Sequence, residues 1–178
     1  ADMLFVHKKF RLMLLTRHAP LRDVPKLLQS DSTQQSFNTL VTFLRKKLRL
    51  ANPRLAVLGV NPHAGEIGGT EEEQILKPIM RQLESDNLAQ CDGPLAADAF
   101  FRGFDPAHTH YDAVVAAYHD QGLIPFKILA GYEAVNVTIG LPFLRTSVSH
   151  GTAEDIVGKN SADERSLIAA LHAAVEMI

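Results

Sequence analysis

The stretch YHDQGLIPFK, residues 118–127, decides how the rest of this chain is expected to fold. An apolar run at residues 111–118 leads into it, is rich in β-branched and small side chains, and contains neither Gly nor Pro. Those features predict a buried strand of ordinary length. The strand is expected to end where polarity begins abruptly, at His119 and Asp120.

Regular structure is expected to break soon after that strand, because Gly122 and Pro125 follow it closely. In open α/β sheets, ligands bind just outside the carboxyl ends of the strands. His119, Asp120 and Lys127 are therefore candidates for a functional site. From position alone, the alternative is a solvated turn whose charges are incidental.

The composition is that of an ordinary globular domain. The chain has 178 residues, 46% of them hydrophobic and 21% charged, so one α/β region over residues 1–178 is expected. A net charge of −2 gives no indication of binding to nucleic acid or to an anionic membrane. Cys91 is the only cysteine, which fits a reducing, cytoplasmic setting. No apolar run is long enough to span a bilayer, and no signal peptide pattern is present.

Strand-like and helix-like segments alternate along the chain. Apolar runs rich in β-branched residues predict strands, and apolar residues at helical spacing predict helices. The alternation predicts an α/β fold with a largely parallel sheet. The expected strands are residues 1–6, 10–16, 54–60, 111–118 and 134–140, and the expected helices begin near residues 31, 70 and 162. Residues 18–25 and 141–147 are expected to be loops or extended segments, and residues 93–101 are expected to be a loop that leads into a short helical or extended segment.

Individual residues refine the three helices. Thr70 and Glu73 have the spacing of a capping box at the start of the second helix. The last helix, residues 162–178, is amphipathic. The side chains expected on the apolar faces are Phe37, Leu40, Val41, Leu44 and Leu48 in the first helix, Ile75, Ile79, Met80 and Leu83 in the second, and Leu167, Ile168, Leu171, Val175 and Ile178 in the last.

Three histidines, His18, His63 and His119, each follow a predicted strand. The carboxyl ends of parallel strands lie along one edge of a sheet, so these imidazoles can converge, and three neutral imidazoles suit Zn²⁺ or another borderline transition metal. The spacing is not a local metal signature, so a structural role for each histidine is the alternative. Asp98 stands among apolar neighbours and is interpreted as either a helix cap or a functional carboxylate.

Several blocks of the sequence resemble one enzyme family. These blocks are RHAPLRDV at residues 17–24, GVNPHAGE at 59–66, YHDQG at 118–122, VNVTIGLPFLRTS at 135–147 and HGTA at 150–153. They occur in the same order in 4-hydroxythreonine-4-phosphate dehydrogenase, the PdxA family of pyridoxal phosphate biosynthesis. The resemblance covers essentially the whole chain.

The resemblance implies a three-layer αβα fold with a mostly parallel sheet, similar to isocitrate and isopropylmalate dehydrogenases. It implies oxidation of 4-phosphooxy-L-threonine by NAD, or alternatively NADP, followed by loss of CO₂ to give 3-amino-2-oxopropyl phosphate. It also implies a divalent metal (Zn, Mg, Co or Mn) and a homodimer whose active site lies at the subunit interface. One of the metal-binding histidines would then come from the partner chain.

The family's functional positions map onto particular residues of this chain. The metal ligands correspond to His18, His63 and His119, and the substrate positions correspond to Lys127, Asn136 and Arg145. Lys and Arg suit phosphate or carboxylate, Arg through its bidentate fork. Asp120 and Asp98 are candidates for orienting a histidine or relaying a proton in catalysis.

The chain also departs from the family pattern. The family's N-terminal half is absent, together with its His-Thr-Glu substrate segment, so an inactive fragment is expected. Ser149 and Asn160 stand where many members carry Asp and Gly, which leaves the NAD contacts unassigned. Two alternatives remain open at this point: a paralogous dehydrogenase acting on another hydroxy acid phosphate or on a dihydrodiol carboxylate, and a non-catalytic domain that folds and dimerises. A metal hydrolase is disfavoured because no general-base Glu has the usual spacing.

Overall fold

Seven strands form one sheet in the computed structural model, which describes residues 1–177. Most of them are short, apolar and buried, as the sequence pattern predicts. In chain order the strands are β1 (Asp2–His7), β2 (Phe10–Leu14), β3 (Arg54–Leu58), β4 (Gln90–Leu95), β5 (Ala113–Ala116), β6 (Val135–Ile139) and β7 (Arg145–Val148).

The strand order across the sheet is β4-β3-β5-β2-β1-β6-β7. The first four strands in that order pair in parallel, whereas β1, β6 and β7 join through antiparallel pairs. Because β6 is antiparallel to β1, it runs in the same direction as β2. The prediction of a mostly parallel α/β sheet is confirmed.

Helices cover both faces of the sheet. The helices are α1 (Val24–Leu27), α2 (Ser30–Lys46), α3 (Lys77–Ser85), α4 (Ala97–Phe101), α5 (His119–Ala130) and α6 (Arg165–Glu176), and a π-helical turn (Glu72–Leu76) leads into α3. On one face, α2, α3 and α6 pack against alternate strand residues such as Leu55 and Val57. On the other face, α5 and the phenylalanines around α4 pack against the intervening residues, such as Ala56 and Leu58. The chain therefore has the predicted three-layer αβα arrangement.

The edge strand β4 was not predicted. Residues 93–101 were expected to be a loop that leads into a short helical or extended segment. The short helix is confirmed as α4, but the part expected to be a loop belongs to β4, which extends through Gly93 and Pro94. Proline lacks the backbone N–H that a sheet ladder needs, so it is tolerated at a sheet edge. β4 is an edge strand of this sheet, which explains why the local sequence signal was misleading.

The expected break after β5 is also wrong, because α5 begins at His119 and continues through Gly122 and Pro125. Gly122 is needed for close packing rather than for a turn. A Cβ atom added there would lie 2.9 Å from the Ala116 Cβ and 2.9 Å from a methyl carbon of Leu12. The helix therefore approaches β5 and β2 more closely than a larger residue would allow.

The capping box predicted between Thr70 and Glu73 does not form. The Thr70 carbonyl accepts a bond from the Gln74 amide, so the helical turn does begin there. However, Glu71 rather than Glu73 accepts the Thr70 amide, at 3.0 Å. Glu73 instead pairs with Lys77 one turn further on.

The last helix buries a different face from the one that its large apolar residues suggest. Leu167, Leu171 and Val175 are all more than half exposed. The small side chains Ser166, Ala170 and Ala173 face the sheet instead, and they allow α6 to pack closely beside β6 and β7. Ile168 is also exposed, and Ile178 lies outside the described residues. Apolar spacing indicated the helix correctly but not its buried side.

Two loops contain more structure than expected. Residues 18–25 include a 3₁₀ turn (Leu21–Asp23) and the start of α1, and the segment expected to be extended at 141–147 includes the start of β7. The predicted core residues of α2 and α3 are largely confirmed, with Leu48 and Ile75 only partly buried. Within residues 1–177, no helix combines the length and apolar character needed to cross a bilayer.

Candidate active site

The three histidines follow three neighbouring parallel strands. His18 comes after β2, His63 after β3 and His119 after β5, and the sheet order places β5 between the other two. Their carboxyl ends therefore lie along one edge, where α/β sheets bind ligands.

His119 is the first residue of α5, and two neighbouring side chains fix its surroundings. Asp120 Oδ1 lies 2.7 Å from His119 Nδ1. An ionised carboxylate only accepts hydrogen bonds, so Nδ1 carries the proton and Nε2 keeps its lone pair. Gln121 accepts a bond from the Ala117 amide at 2.7 Å and donates to the Gly59 carbonyl at 2.6 Å. Gln121 therefore ties the start of α5 to the ends of both β5 and β3.

His18 is brought to His119 by an extension of the β2–β5 pairing. The Leu15 and Thr16 amides donate to the Ala116 and Ala117 carbonyls beyond the regular strands, and the Thr16 hydroxyl also donates to Ala117 O at 2.8 Å. As a result, the centroids of the His18 and His119 rings lie 5.6 Å apart.

This ring spacing fits two ligands of one metal ion. Two imidazoles on a tetrahedral Zn²⁺, each with a Zn–N bond of about 2.0–2.1 Å, would place their ring centroids roughly 5 Å apart. The hydrogen bond from His119 to Asp120 is the carboxylate–histidine arrangement that orients metal-bound imidazoles in proteins. The donor set of this pair therefore suits a borderline divalent cation.

His63 does not join the pair within one chain. It is exposed in a 3₁₀ turn (Pro62–Gly65), where His63 and Ala64 both adopt left-handed backbone angles, with φ of 52° and 54°. Within residues 1–177, no three His, Cys, Asp or Glu side chains come close enough to hold a metal ion. Two of the three candidate ligands are thus brought together, and the third stands apart.

Two acidic side chains, Glu71 and Glu72, accept hydrogen bonds from the loop that carries His63. Glu72 is only 2% exposed and accepts hydrogen bonds from the Asn61 backbone amide at 2.7 Å and the Asn61 side-chain amide at 2.9 Å. Glu71 accepts the other bond from the Asn61 side chain, at 2.8 Å. This bond is the main reason that the pKa of Glu71 is below its ordinary value.

The sequence patterns did not single out these supporting residues. Glu72 could have been noticed, because it precedes Leu76, Ile79 and Leu83 at helical spacing and so occupies an apolar-face position with a charge. Gln121 lies within residues 118–127, but nothing in the local sequence indicates that its amide reaches β3. Such contacts depend on which strands become neighbours.

The candidate anion-binding residues lie on the face of the sheet that carries α5. Asn136 pairs with Phe5, which packs in the same cluster as Phe126 of α5. Arg145 begins β7 opposite Thr138 and donates to its hydroxyl at 2.9 Å. Lys127 is exposed in the last turn of α5.

These residues are far from the histidine pair within one chain. Phe5 pairs with both Asn136 and Leu12, so Asn136 lies level with Leu12, and His18 follows roughly 15–20 Å further along the strand direction at about 3.3 Å per residue. Lys127 lies about 12 Å along the helix axis from His119. The structure therefore separates the predicted metal and anion sets.

Asp98 lies in the first turn of α4 and is exposed. Ala96 is the N-cap residue of that helix, and no side-chain capping bond is formed. The cap interpretation of Asp98 is therefore wrong, and its functional role stays a prediction. His108 and His110 are exposed, and His108 pairs with Asp105 at 2.6 Å.

Comparison with known proteins identifies the family. The sequence profile of the family described as "Pyridoxal phosphate biosynthetic protein PdxA" matches residues 1–174. The chain belongs to the PdxA family. Among its relatives, the 4-hydroxythreonine-4-phosphate dehydrogenase of Bacteroides thetaiotaomicron is 41% identical over 98% of this chain and 48% of its own length. That of Bradyrhizobium diazoefficiens is 44% identical over 98% of this chain and 50% of its own length.

Solved structures of related dehydrogenases have the same fold. The crystal structure of 4-hydroxythreonine-4-phosphate dehydrogenase from Klebsiella pneumoniae matches 99% of this chain with a TM-score of 0.85 and 36% identity. A terephthalate 1,2-cis-dihydrodiol dehydrogenase from Burkholderia xenovorans matches 98% of the chain with a TM-score of 0.76 and 30% identity. This chain covers 53% and 55% of those two proteins. It thus spans about half the length of the PdxA relatives that it matches.

Proposed function

We propose that this chain forms the metal- and anion-binding part of a cytoplasmic 4-hydroxythreonine-4-phosphate dehydrogenase of vitamin B6 biosynthesis. The complete enzyme would oxidise 4-phosphooxy-L-threonine with NAD or NADP as the hydride acceptor, and loss of CO₂ would give 3-amino-2-oxopropyl phosphate. The observation that carries the proposal is the His18–His119 pair, with Asp120 behind it, at the carboxyl edge of the sheet. Because the chain spans about half of its relatives, we expect no NADH formation from this chain alone.

His18, His63 and His119 would hold the divalent metal. A metal ion at this position would lower the pKa of the substrate hydroxyl and withdraw electrons from the carbonyl that forms. Asp120 keeps the proton of His119 on Nδ1 and so leaves Nε2 free to bind. Asp98 is proposed to relay a proton in catalysis.

A second copy of the chain would complete this site. His63 stands apart from the histidine pair in one chain, and Asn136 and Lys127 are too far from that pair for a small substrate to reach both. A homodimer solves both problems if one copy supplies His18 and His119 while the other supplies His63 and the anion-binding residues. The separation of the two sets within one chain supports this arrangement.

Lys127, Asn136 and Arg145 are proposed to bind the phosphorylated substrate. Arg145 already uses one guanidinium nitrogen on Thr138, which orients the remaining donors of its fork for an anion. The Asn136 Oδ1 atom is buried and makes no hydrogen bond within residues 1–177. Buried polar atoms in proteins are normally paired, so this atom is suited to a donor group of the substrate.

Metal affinity tests the core of the proposal. Zn²⁺ and Co²⁺ titrations should show tight binding that His18→Ala, His63→Ala and His119→Ala each abolish, whereas Asp120→Asn should weaken it by about 10–100-fold. His108→Ala is the matched control, because His108 also pairs with an aspartate but lies outside the site. Equal losses in the control and the site variants would overturn the assignment.

Mixed dimers test which copy supplies His63. In a mixture of His18→Ala and His63→Ala chains, half of the sites in each mixed dimer should regain all three ligands. A mixture of His18→Ala and His119→Ala chains should regain none, because both ligands come from the same copy. If the first mixture binds no more metal than its separate components, the shared site is refuted.

A dihydrodiol dehydrogenase is the second candidate function, favoured by the structural match to the terephthalate dihydrodiol enzyme. The two candidates differ in the anion that they should bind. Inorganic phosphate should bind the chain and should lose affinity in the Lys127→Ala and Arg145→Ala variants if the substrate is a phosphate ester. Preferential binding of terephthalate by the same residues would favour the second candidate instead.

A further inference from the structure

Glu72 is the most buried carboxylate near the candidate site among the described residues. It is 2% exposed, and both of its oxygens accept hydrogen bonds from a single neighbour, Asn61. A buried carboxylate is costly unless such bonds satisfy it. Asn61 comes two residues before His63, so the effect of Glu72 is directed at the loop that carries this histidine.

The loop wraps around this carboxylate on both sides of His63. A Cβ atom added at Gly65 would lie 3.0 Å from Glu72 Oε2, and one added at Gly59 would lie 3.3 Å from Oε1. The backbone on both sides of His63 therefore lies in close contact with the Glu72 carboxylate. Glycine at both positions permits this close approach.

His63 and Ala64 are both left-handed, with φ of 52° and 54°. Non-glycine residues adopt this conformation only where the surrounding structure over-determines it, and such positions cluster at functional sites. Glu72 is also the first residue of the π-helical turn Glu72–Leu76, and such turns are frequent at functional sites. The left-handed turn and the π-helical turn are both explained if Glu72 supports the loop that carries His63.

We propose that Glu72 is a positioning residue for His63: its carboxylate, through Asn61 and the glycine contacts, fixes the loop so that the imidazole is presented in one orientation. The inference rests on the proposed function in so far as His63 is taken to bind the metal. Glu72 itself touches neither metal nor substrate. It acts on the metal only through the geometry of the loop.

The test compares Glu72→Gln and Glu72→Ala with Glu73→Gln. Gln retains an acceptor for the Asn61 backbone amide but loses one for the side chain, whereas Ala loses both. We expect Co²⁺ affinity to fall by about 10-fold for Gln and about 100-fold for Ala, within the range known for groups that orient metal ligands. The Co²⁺ absorption spectrum should change as the His63 ligand is lost, and amide exchange in residues 59–65 should accelerate in the same order.

Glu73→Gln removes the same charge from the next residue, whose side chain is exposed, and should change none of these readouts. If the Glu72 variants lower thermal stability but leave Co²⁺ affinity, the spectrum and loop exchange unchanged, the positioning role is refuted. His63→Ala in the native background separates the ligand role of His63 from the loop-positioning role of Glu72. Unchanged metal affinity in that variant would refute the ligand assignment, while loop exchange in the Glu72 variants would still show whether Glu72 holds the loop.

Discussion

His119 and His63 follow neighbouring strands of one sheet, but the chain presents them in opposite ways. His119 starts a regular helix that packs tightly on β5 and β2 through Gly122. His63 lies in a left-handed turn that is hydrogen-bonded, through the Asn61 amide, to the buried carboxylate of Glu72. The first histidine is placed by the core of the protein, and the second by a local polar network.

The difference indicates how the two positions should respond to change. A helix anchored in the core resists displacement but has little room for added volume. A strained loop depends on a few hydrogen bonds and on residues that tolerate unusual backbone angles. Gly59 belongs to both systems, since its carbonyl binds Gln121 at the start of α5 and its Cα faces Ala64 in the loop.

Gly59→Ala should have the largest effect, because the added Cβ would lie 2.7 Å from the Ala64 Cα atom. The obstacle is backbone rather than a flexible side chain, so the His63 loop must move. We expect a loss of about 3 kcal/mol in the free energy of unfolding, at the upper end for overpacking. Urea denaturation measures this loss, and metal titration should show weakened binding. Gly151→Ala, where no atom lies within 4 Å, is the control.

Gly122→Ala tests the helix side of the comparison. Its new Cβ would meet Ala116 and Leu12, both fully buried, at 2.9 Å. Overpacking costs about 1–3 kcal/mol, and the better helix propensity of Ala returns up to about 1 kcal/mol. A net loss of about 1–2 kcal/mol in urea denaturation is expected. A variant as stable as the wild type would show that the helix is not held by close packing.

Five of the seven strands, the largely parallel sheet and the shared edge of the histidines could be predicted because each depends on local apolar pattern and on the general geometry of parallel sheets. The three-layer arrangement was implied only by the resemblance to the family. Gly122 and Pro125 misled the prediction of α5. At Gly122, the local preference for a break is overridden by close packing against Leu12 and Ala116. The buried face of α6 was predicted wrongly because small side chains pack against the sheet there. Apolar periodicity alone assigns the large side chains to the buried face.

The hydrogen bonds that support the candidate site could not be predicted from local sequence pattern. Gln121 reaches Gly59 only because β5 and β3 become neighbours, and the two residues are far apart in sequence. The separation of Asn136 from His18 likewise follows from strand register. Residue type could nominate the histidines, but only the topology could say which of them meet within one chain.

Ala64→Gly tests how much the left-handed backbone at residue 64 costs in stability. Ala64 has φ of 54°, a conformation that costs a non-glycine residue about 1–2 kcal/mol. Glycine removes that cost but makes the unfolded chain more flexible by about 0.4–1 kcal/mol. We expect a small net gain of about 0.5 kcal/mol in thermal or urea denaturation. Ala99→Gly, in the exposed part of α4, should instead lose about 0.5–1 kcal/mol. Equal losses in both variants would contradict left-handed strain at Ala64.

The smallest expected effect is a pH response confined to the loop. Hydrogen bonds from the Asn61 side chain and from backbone amides, including that of Thr70, hold the pKa of Glu71 below its ordinary value of 4.5. A depressed carboxylate pKa contributes stability that is present above the unfolded value and is lost as the pH falls through the folded value. Acidification should therefore shift the NMR signals of the Thr70 amide and the Asn61 side-chain amide with a midpoint below 4.5. Glu71→Gln should abolish this step while the α5 amides are unaffected, and a midpoint at or above 4.5 would show that Asn61 does not hold Glu71 in its charged form.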